Sequence, residues 1–107
     1  MTDRPEIACI CGSARFAGEV RAANRDLTFA GVIVVAPGVF PRAGDREAGE
    51  LITSGQKAAL DALHLRKIDL ADRVLVVSRG GYIGESTSRE IAYARAAGKP
   101  VSFTGPV

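Results

Sequence analysis

The sequence predicts an α/β protein, a three-layer α/β/α sandwich with a parallel sheet of four to five strands at its centre. Short apolar segments alternate with longer amphipathic ones in the order β-α-β-α-β-α-β. Two of the apolar segments, residues 32–36 and 74–77, are continuous rather than alternating, which is typical of parallel strands buried on both faces. Strands and helices in this order connect by right-handed crossovers. These observations indicate a Rossmann-like (flavodoxin-like) sheet.

The first half of the chain supplies two strands and one helix. Residues 7–11 form an apolar strand, residues 12–15 a turn, and residues 16–30 a helix that Gly31 ends. A second strand follows over residues 32–36. The inner stripe of the helix is predicted from apolar side chains at helical spacing, namely Phe16, Val20, Ala23, Leu27 and Ala30.

The second half begins with an irregular stretch and continues with two more βα units. Residues 37–53 read as a long loop with a short helical turn over residues 46–51, and loops of this length are often lids or binding loops. A helix over residues 54–70 precedes a strand over 73–78, a glycine-rich loop over 79–86 and a strand over 100–104. A last helix is predicted over residues 92–97, with Glu90 in its first turn. The inner side of the helix at 54–70 is assigned to Leu60, Leu63, Lys67 or Ile68, and Ala71.

Length and composition limit the possible functions. The 107 residues allow one domain, residues 1–107, and 47% of them are hydrophobic, which disfavours disorder. The net charge is only +2, the basic residues are scattered and Trp is absent, so no nucleic acid polymer is expected as a partner. No apolar run approaches the about 20 residues that span a bilayer. With no evident signal peptide, a soluble, cytoplasmic protein without membrane contact is predicted.

The two cysteines, Cys9 and Cys11, lie two residues apart on the first predicted strand. They share a face of that strand but are poorly placed to bond to each other. His64 is the single histidine and lies far away in the sequence, so the pattern does not predict a zinc site. We expect buried thiols in a reducing compartment, no metal and no cofactor.

The glycine-rich loop and the helix after it are the centre of the predicted site. A strand-to-helix turn offers free backbone N–H groups and the positive end of the helix dipole to an anion. Its glycines, which include Gly84, can also serve only for turn conformations. Residues 87–90 fit a capping box, in which the Glu90 side chain would accept a hydrogen bond from the backbone N–H of Thr87. The other interpretation makes Glu90 a nucleophile or base that faces a ligand.

Other candidate residues surround this loop, and each has a structural alternative. Gly12, Ser13 and Arg15 open the first helix and contact a phosphate or a polyhydroxyl ligand, unless Ser13 only caps that helix. His64 orients Glu90 or donates a proton, unless it is a half-buried histidine of the core. For the loop itself, the candidates that pack on a ligand or bond to it, or else cover or cap the loop, are Tyr82, Ser86 and Ser88.

Residues 63–69, 71–77, 84–94 and 98–101 together resemble the nucleoside 2-deoxyribosyltransferase superfamily, and residues 10–13 and 31–38 fit it too. This superfamily includes nucleoside deoxyribosyltransferases and nucleoside 5′-monophosphate N-glycosidases. The most specific features are the Glu-Ile-x-x-Ala start at Glu90 and the Gly-Lys-Pro at residues 98–100.

The resemblance implies that Glu90 corresponds to the nucleophilic glutamate of the family. Two positions depart from the family pattern. His64 stands eight residues before Asp72, where an aspartate is expected. Gly84 stands six residues before Glu90, where the transferases carry an aspartate and the nucleotide hydrolases a small residue that helps bind phosphate. The family also implies a homodimer or a higher homo-oligomer.

The main hypothesis is cleavage or transfer of an N-glycosidic bond on a nucleoside or a nucleoside 5′-monophosphate, with Glu90 and His64 as catalytic residues. The first alternative is a non-catalytic nucleotide-binding module or sensor of Rossmann-like fold. The second alternative is a purely structural oligomerising domain, which would have no ligand site at the carboxyl edge of the sheet.

Overall fold

The computed structural model describes residues 4–37 and 53–105. Within these ranges, four strands and three α-helices alternate along the chain. Their bounds are β1 (Ile7–Gly12), α1 (Ala17–Phe29), β2 (Ile33–Val35), α2 (Ser54–Leu70), β3 (Arg73–Val77), α3 (Glu85–Ala96) and β4 (Val101–Phe103). A single 3-10 turn, Ala14–Phe16, joins β1 to α1. The predicted loop over 37–53, with its helical turn, lies almost wholly outside the described residues.

All strand pairs of the sheet are parallel, and the order across it is β2-β1-β3-β4. The central strand β1 pairs with β2 from Ile7 opposite Ile33, and with β3 from Ala8 opposite Arg73. This order is that of a flavodoxin-like sheet, in which ligands bind beyond the carboxyl ends of the strands. The predicted fold class is therefore confirmed.

Each face of the sheet is covered by helices, which gives the three layers. On one face, α1 packs against the sheet through a cluster of buried apolar side chains, namely Ile10, Phe16, Val20 and Val77. On the other face, α2 and α3 cover a larger cluster, which consists of Cys9, Cys11, Ile68, Ala71, Val74, Val76, Ile91 and Ala94. Because successive residues of a strand point to opposite faces, Ile10 belongs to the first cluster and both cysteines belong to the second.

Helix α1 ends as the sequence predicts. Gly31 has a φ of +85° and follows the last turn, and the Val32 N–H donates to the Leu27 carbonyl at 3.0 Å, as in a Schellman cap. The strand after it, β2, is shorter and less buried than predicted. Ile33 is 43% exposed, because within the described residues β2 forms an edge of the sheet.

Helix α2 begins with a capping box, in which Thr53 Oγ1 accepts from the Gln56 N–H at 3.0 Å and the Gln56 side chain accepts from the Thr53 N–H at 2.8 Å. The predicted inner side of this helix is wrong at two positions. Leu60 is 37% exposed and Leu63 is 51% exposed. Ile68, one of the residues predicted to face inward, is fully buried, and the other buried residue of the helix is His64, one turn before it. An imidazole thus takes an inward position that apolar spacing assigned to leucine.

Helix α3 begins at Glu85, seven residues before the predicted start, with Gly84 as its N-cap. The capping box predicted over residues 87–90 is wrong, because Thr87 is a buried residue inside the helix. Glu90 is the sixth helical residue and lies beyond the first turn. At the other end, the Lys99 N–H donates to the Ala94 carbonyl at 2.9 Å after Gly98, whose φ is +77°.

The amino edge of the sheet carries a separate polar cluster. Asp72 accepts from the Arg4 guanidinium at 2.8 and 3.0 Å and from the Ile7 N–H at 2.8 Å. These hydrogen bonds lower the pKa of Asp72. The cluster ties the segment before β1 to the start of β3, which fits a structural role for Asp72. Among the described residues, the three helices lack the length and the apolar composition needed to cross a membrane.

Candidate functional site

Four ionisable side chains meet between β1 and the two helices, α2 and α3, that cover the cysteine side of the sheet. His64 Nε2 lies 3.3 Å from Cys11 Sγ, 3.7 Å from Cys9 Sγ and 3.8 Å from the nearer carboxylate oxygen of Glu90. Both thiols are free and have no exposure to solvent. The side chains of His64 and Glu90 are 7% and 13% exposed. We refer to Cys9, Cys11, His64 and Glu90 as the thiol-imidazole cluster.

Three elements place these groups together. The cysteines are two residues apart on β1, so both point to the face that α2 and α3 cover. His64 lies one turn before the fully buried Ile68 and points to the same face from α2. Glu90 precedes the buried Ile91 on α3, and that helix packs against both α2 and β1. The cluster is therefore held by the packing of regular elements.

The pKa values of the two thiols are shifted in opposite directions. A hydrogen bond from the Cys11 thiol lowers the pKa of Cys9 to about 5, against the effect of burial, and His64 acts in the same direction. The hydrogen bond to Cys9 and burial both raise the pKa of Cys11. Because two adjacent buried thiolates would repel each other, ionisation of one thiol disfavours ionisation of the other.

His64 and Glu90 also perturb each other. Burial alone would lower the pKa of His64, but its hydrogen bond to Cys9 and the charge of Glu90 outweigh burial and raise it. Burial raises the pKa of Glu90, against the attraction of His64. The helix dipole does little to favour an ionised Glu90, because its effect is confined to the first turn of a helix and Glu90 lies beyond that turn.

A second group of charges lies at the start of α2 and α3. Lys57 Nζ is 3.2 Å from Asp61 and 3.4 Å from Ser86 Oγ, and Arg89 donates to the same Ser86 Oγ at 3.3 Å. Asp61 lies one turn before His64 on α2, and its charge contributes to the raised pKa of Glu90. Ser86, a predicted ligand contact, is thus already hydrogen-bonded to two cations.

The loops after β1 and β3 meet through Tyr82. The Arg15 guanidinium lies over the Tyr82 ring, 4.4 Å from its centroid, and Phe16 packs edge-on against the ring at 5.7 Å. A Cβ on Gly84 would lie 3.4 Å from the Tyr82 hydroxyl. The structure therefore brings three predicted ligand-binding residues together at the carboxyl edge of the sheet, and Tyr82 is 40% exposed there.

The remaining predicted site residues have structural contacts. Ser13 Oγ accepts from the Arg15 N–H at 3.3 Å and caps the 3-10 turn. A Cβ on Gly12 would lie 3.2 Å from Val77 Cβ, so packing favours a glycine at the end of β1. Ser88 is exposed, and its N–H donates to the Gly84 carbonyl at 2.9 Å.

Sequence reasoning missed several groups at this site. It treated Cys9 and Cys11 as ordinary core thiols, and it overlooked Asp61 although this residue lies three positions before His64. It also overlooked Ser78, a buried residue directly after β3 whose hydroxyl has no hydrogen-bond partner in the described part of the chain. The spacing of three residues between Asp61 and His64 indicates that both side chains lie on the same side of α2. The cysteines give no such indication, because their approach to His64 depends on how α2 packs on β1.

Comparison with known proteins adds a solved structure with the same architecture. A 2-deoxyribosyltransferase from the psychrotolerant bacterium Bacillus psychrosaccharolyticus superposes on this chain with a TM-score of 0.71. The match covers 94% of this chain and 75% of that one. The chain has a 2-deoxyribosyltransferase-like fold. Because only 20% of the matched residues are identical, the comparison shows the fold alone. No protein-family model and no curated protein matches the chain.

Proposed function

We propose that this chain cleaves or transfers the N-glycosidic bond of a nucleoside or a nucleoside 5′-monophosphate, with Glu90 as nucleophile. The observation that carries the proposal is the position of the Glu90 carboxylate. It is mostly buried, 13% exposed, and 3.8 Å from an imidazole, within a 2-deoxyribosyltransferase-like fold. The structure that matches this fold belongs to an enzyme described as a biocatalyst for the synthesis of nucleosides.

In the proposed reaction, a carboxylate oxygen of Glu90 attacks C1′ while the bond from C1′ to the base nitrogen breaks. The base leaves with that electron pair and takes up a proton, and the sugar stays bound to Glu90 as an ester. Water, or the nitrogen of a second base, then attacks C1′ and releases the Glu90 carboxylate. Both steps pass through oxocarbenium-like transition states, as in retaining glycosidases.

Neighbouring residues have distinct roles in this proposal. His64 acts as a positioning residue, because its Nε2 lies beside the carboxylate and its positive form favours the ionised Glu90. The stacked pair of Arg15 and Tyr82 is available to a sugar or a phosphate at the carboxyl edge. Gly84 leaves room beside Tyr82, in agreement with the small residue that the nucleotide hydrolases carry at this position.

The decisive experiment measures release of free base from a panel of nucleosides and nucleoside 5′-monophosphates. We expect Glu90→Gln to lower the rate by at least about 1,000-fold, the scale of losing a nucleophile. Glu85→Gln is the matched control, since Glu85 lies on the same helix and is 90% exposed. If the wild type and Glu90→Gln are equally inactive on every compound with EDTA present, while ¹H NMR shows both folded, the chain is not an N-glycosidase.

A second candidate function is nucleotide binding without turnover. The observation in its favour is the surroundings of Glu90, where burial raises the carboxyl pKa and two thiols and an imidazole are close by. A carboxyl group that burial makes harder to ionise is less available as a nucleophile. This candidate predicts that nucleoside monophosphates raise the melting temperature of the wild type and of Glu90→Gln equally, with no base released.

We also propose that the chain forms a homodimer or a larger homo-oligomer, which the family resemblance implies. Light scattering tests this directly. A mass near 11.2 kDa, that of one chain, would contradict it.

A further inference from the structure

We propose that Cys9, Cys11 and His64 bind one Zn²⁺ ion, with the Glu90 carboxylate as the fourth ligand. Two thiolates, an imidazole and a carboxylate are ligand types that zinc takes in proteins. The proposed site uses three elements, β1, α2 and α3, and it lies on the face of the sheet that α2 and α3 cover.

The geometry of the cluster fits a tetrahedral ion. Zinc bonds of about 2.3 Å to sulfur and about 2.0 Å to nitrogen or oxygen place neighbouring ligand atoms about 3.3 to 3.8 Å apart. His64 Nε2 lies 3.3 Å from Cys11 Sγ, 3.7 Å from Cys9 Sγ and 3.8 Å from the Glu90 oxygen. The donor atoms of Cys9, Cys11 and His64 all lie within 4.8 Å of one another. Small side-chain rotations are therefore enough for these three residues to hold an ion, whereas the Glu90 carboxylate, which is close to His64 only, has to move toward the two sulfurs to complete the set.

The chemistry of the cluster also favours an ion over an ordinary core contact. Buried charges are costly unless they are paired or bind a metal. In this cluster, thiols, an imidazole and a carboxylate compete for protons in a region where both sulfurs are fully buried. A divalent cation satisfies all four groups at once. A disulfide would not, because two cysteines separated by one residue on a strand are poorly oriented for it.

Access to the site is from the side of Glu90. This side chain is the most exposed of the four, at 13%, whereas that of His64 is 7% exposed and both cysteines are fully buried. Glu90 would thus be the first ligand that an incoming ion meets and the last that it leaves. Such a site keeps one position that exchanges more readily than the other three.

Zinc binding has a consequence for turnover, and this consequence rests on the proposed function. A carboxylate bound to zinc cannot attack C1′, so the loaded chain would be inactive until the ion is removed. The zinc site would then switch the enzyme off. The binding of zinc itself does not depend on this consequence and is tested without any substrate.

The test titrates the reduced chain with Co²⁺, a spectroscopic substitute for zinc, and then displaces it with Zn²⁺. We expect one equivalent per chain, a thiolate-to-cobalt charge-transfer band and the visible bands of a tetrahedral ion. Cys11→Ser and His64→Gln should each weaken binding by more than the 10- to 100-fold typical of losing an outer-shell partner. Glu85→Gln should leave the titration unchanged.

Glu90→Gln separates this inference from the proposed function. If the zinc site is real, the variant still binds one Co²⁺ and keeps the charge-transfer band, while its visible bands shift because the fourth ligand has changed. This outcome holds whether or not the wild type releases base.

A variant that fails to fold does not weaken the test, because the wild type alone can decide it. One equivalent of Zn²⁺ should protect both thiols from alkylation. Absence of a charge-transfer band in the reduced wild type, or thiols that alkylate equally fast with and without zinc in enough urea to open the core, would overturn the proposal.

Discussion

The two faces of the central strand differ in chemistry although they share a backbone. On the α1 face, Ile10 packs against Phe16, Val20 and Val77, and this cluster is wholly apolar. On the other face, Cys9 and Cys11 are equally buried but contact the imidazole of His64. One face therefore stabilises the fold by burying apolar surface, whereas the other places ionisable groups where burial changes their pKa values. The α1 face can be tested by measuring the free energy of unfolding, whereas the cysteine face also needs a measurement of its proton or metal binding.

The largest expected effect tests this contrast directly. Ile10→Ala should lower the free energy of unfolding by about 3 kcal/mol, because it leaves a cavity in a fully buried apolar cluster. Cys11→Ala, on the opposite face, should cost about 1 kcal/mol, since only a small side chain is removed. Urea denaturation with EDTA present measures both. A loss for Cys11→Ala as large as that for Ile10→Ala would contradict this, because it would mean that Cys11 contributes far more to stability than the burial of a small side chain.

The next effect concerns the residue at which β1 ends. Gly12→Ala should lower the free energy of unfolding by about 1–3 kcal/mol, because the added Cβ would lie 3.2 Å from Val77 Cβ and 3.4 Å from Val20. Gly18→Ala is the matched control on α1, where nothing lies within 4 Å of the new Cβ. We expect that control to be neutral or stabilising by up to about 1 kcal/mol. Thermal unfolding of the two variants would contradict this reasoning if Gly18→Ala were the less stable one.

A smaller effect is expected from Glu90→Gln on stability, as opposed to activity. The pKa of Glu90 is raised in the folded chain, so its ionisation is harder there than in the unfolded chain. Wild-type stability is therefore fully present below the unfolded pKa, about 4.3, and is lost as the pH rises from that value through the raised folded pKa. Glu90→Gln has no such loss, and above that pH it should be as stable as the wild type or slightly more so. Melting curves from pH 4 to pH 8 with EDTA check this, and a variant that loses stability relative to the wild type as the pH rises would contradict it.

The smallest effect lies outside both faces. Asp72 has a lowered pKa, so its contribution to stability is present above the unfolded value, about 3.9, and is lost as the pH falls toward the folded one. Asp72→Asn should therefore be less stable than the wild type at neutral pH and equal to it in strong acid. Because Arg4 and Asp72 are both exposed, the difference should be modest and should shrink in high salt. A difference that persists unchanged at low pH would show that another interaction is lost.

The order and direction of the strands could be predicted from sequence because apolar segments and glycine stops are local features. The end of α1 at Gly31 is an example, since a positive φ after the last turn favours glycine. The inner side of α2 could be predicted only in part, at Ile68. Leucine and histidine both occur at helical spacing on this helix, and only the packing of α2 on β1 buries His64 while Leu60 and Leu63 stay exposed.

The candidate site was predicted in outline but not in detail. The sequence pairs His64 with Glu90 as a group that orients it, and the structure brings the two side chains within 3.8 Å of each other. The start of α3 was placed too late, because Ser86, Thr87 and Ser88 resemble capping residues, yet the helix already includes them. The contact of two thiols with His64 depends on two elements, β1 and α2, that are distant in sequence. Spacing within any one of those elements carries no information about it.

The outer strands of the described sheet limit how it can grow. β2 and β4 are three residues long, and each has only three residue pairs with its inner neighbour. A strand from another molecule would find a short ladder of free N–H and carbonyl groups on either side. Short outer strands are one of the ways in which natural proteins avoid edge-to-edge aggregation.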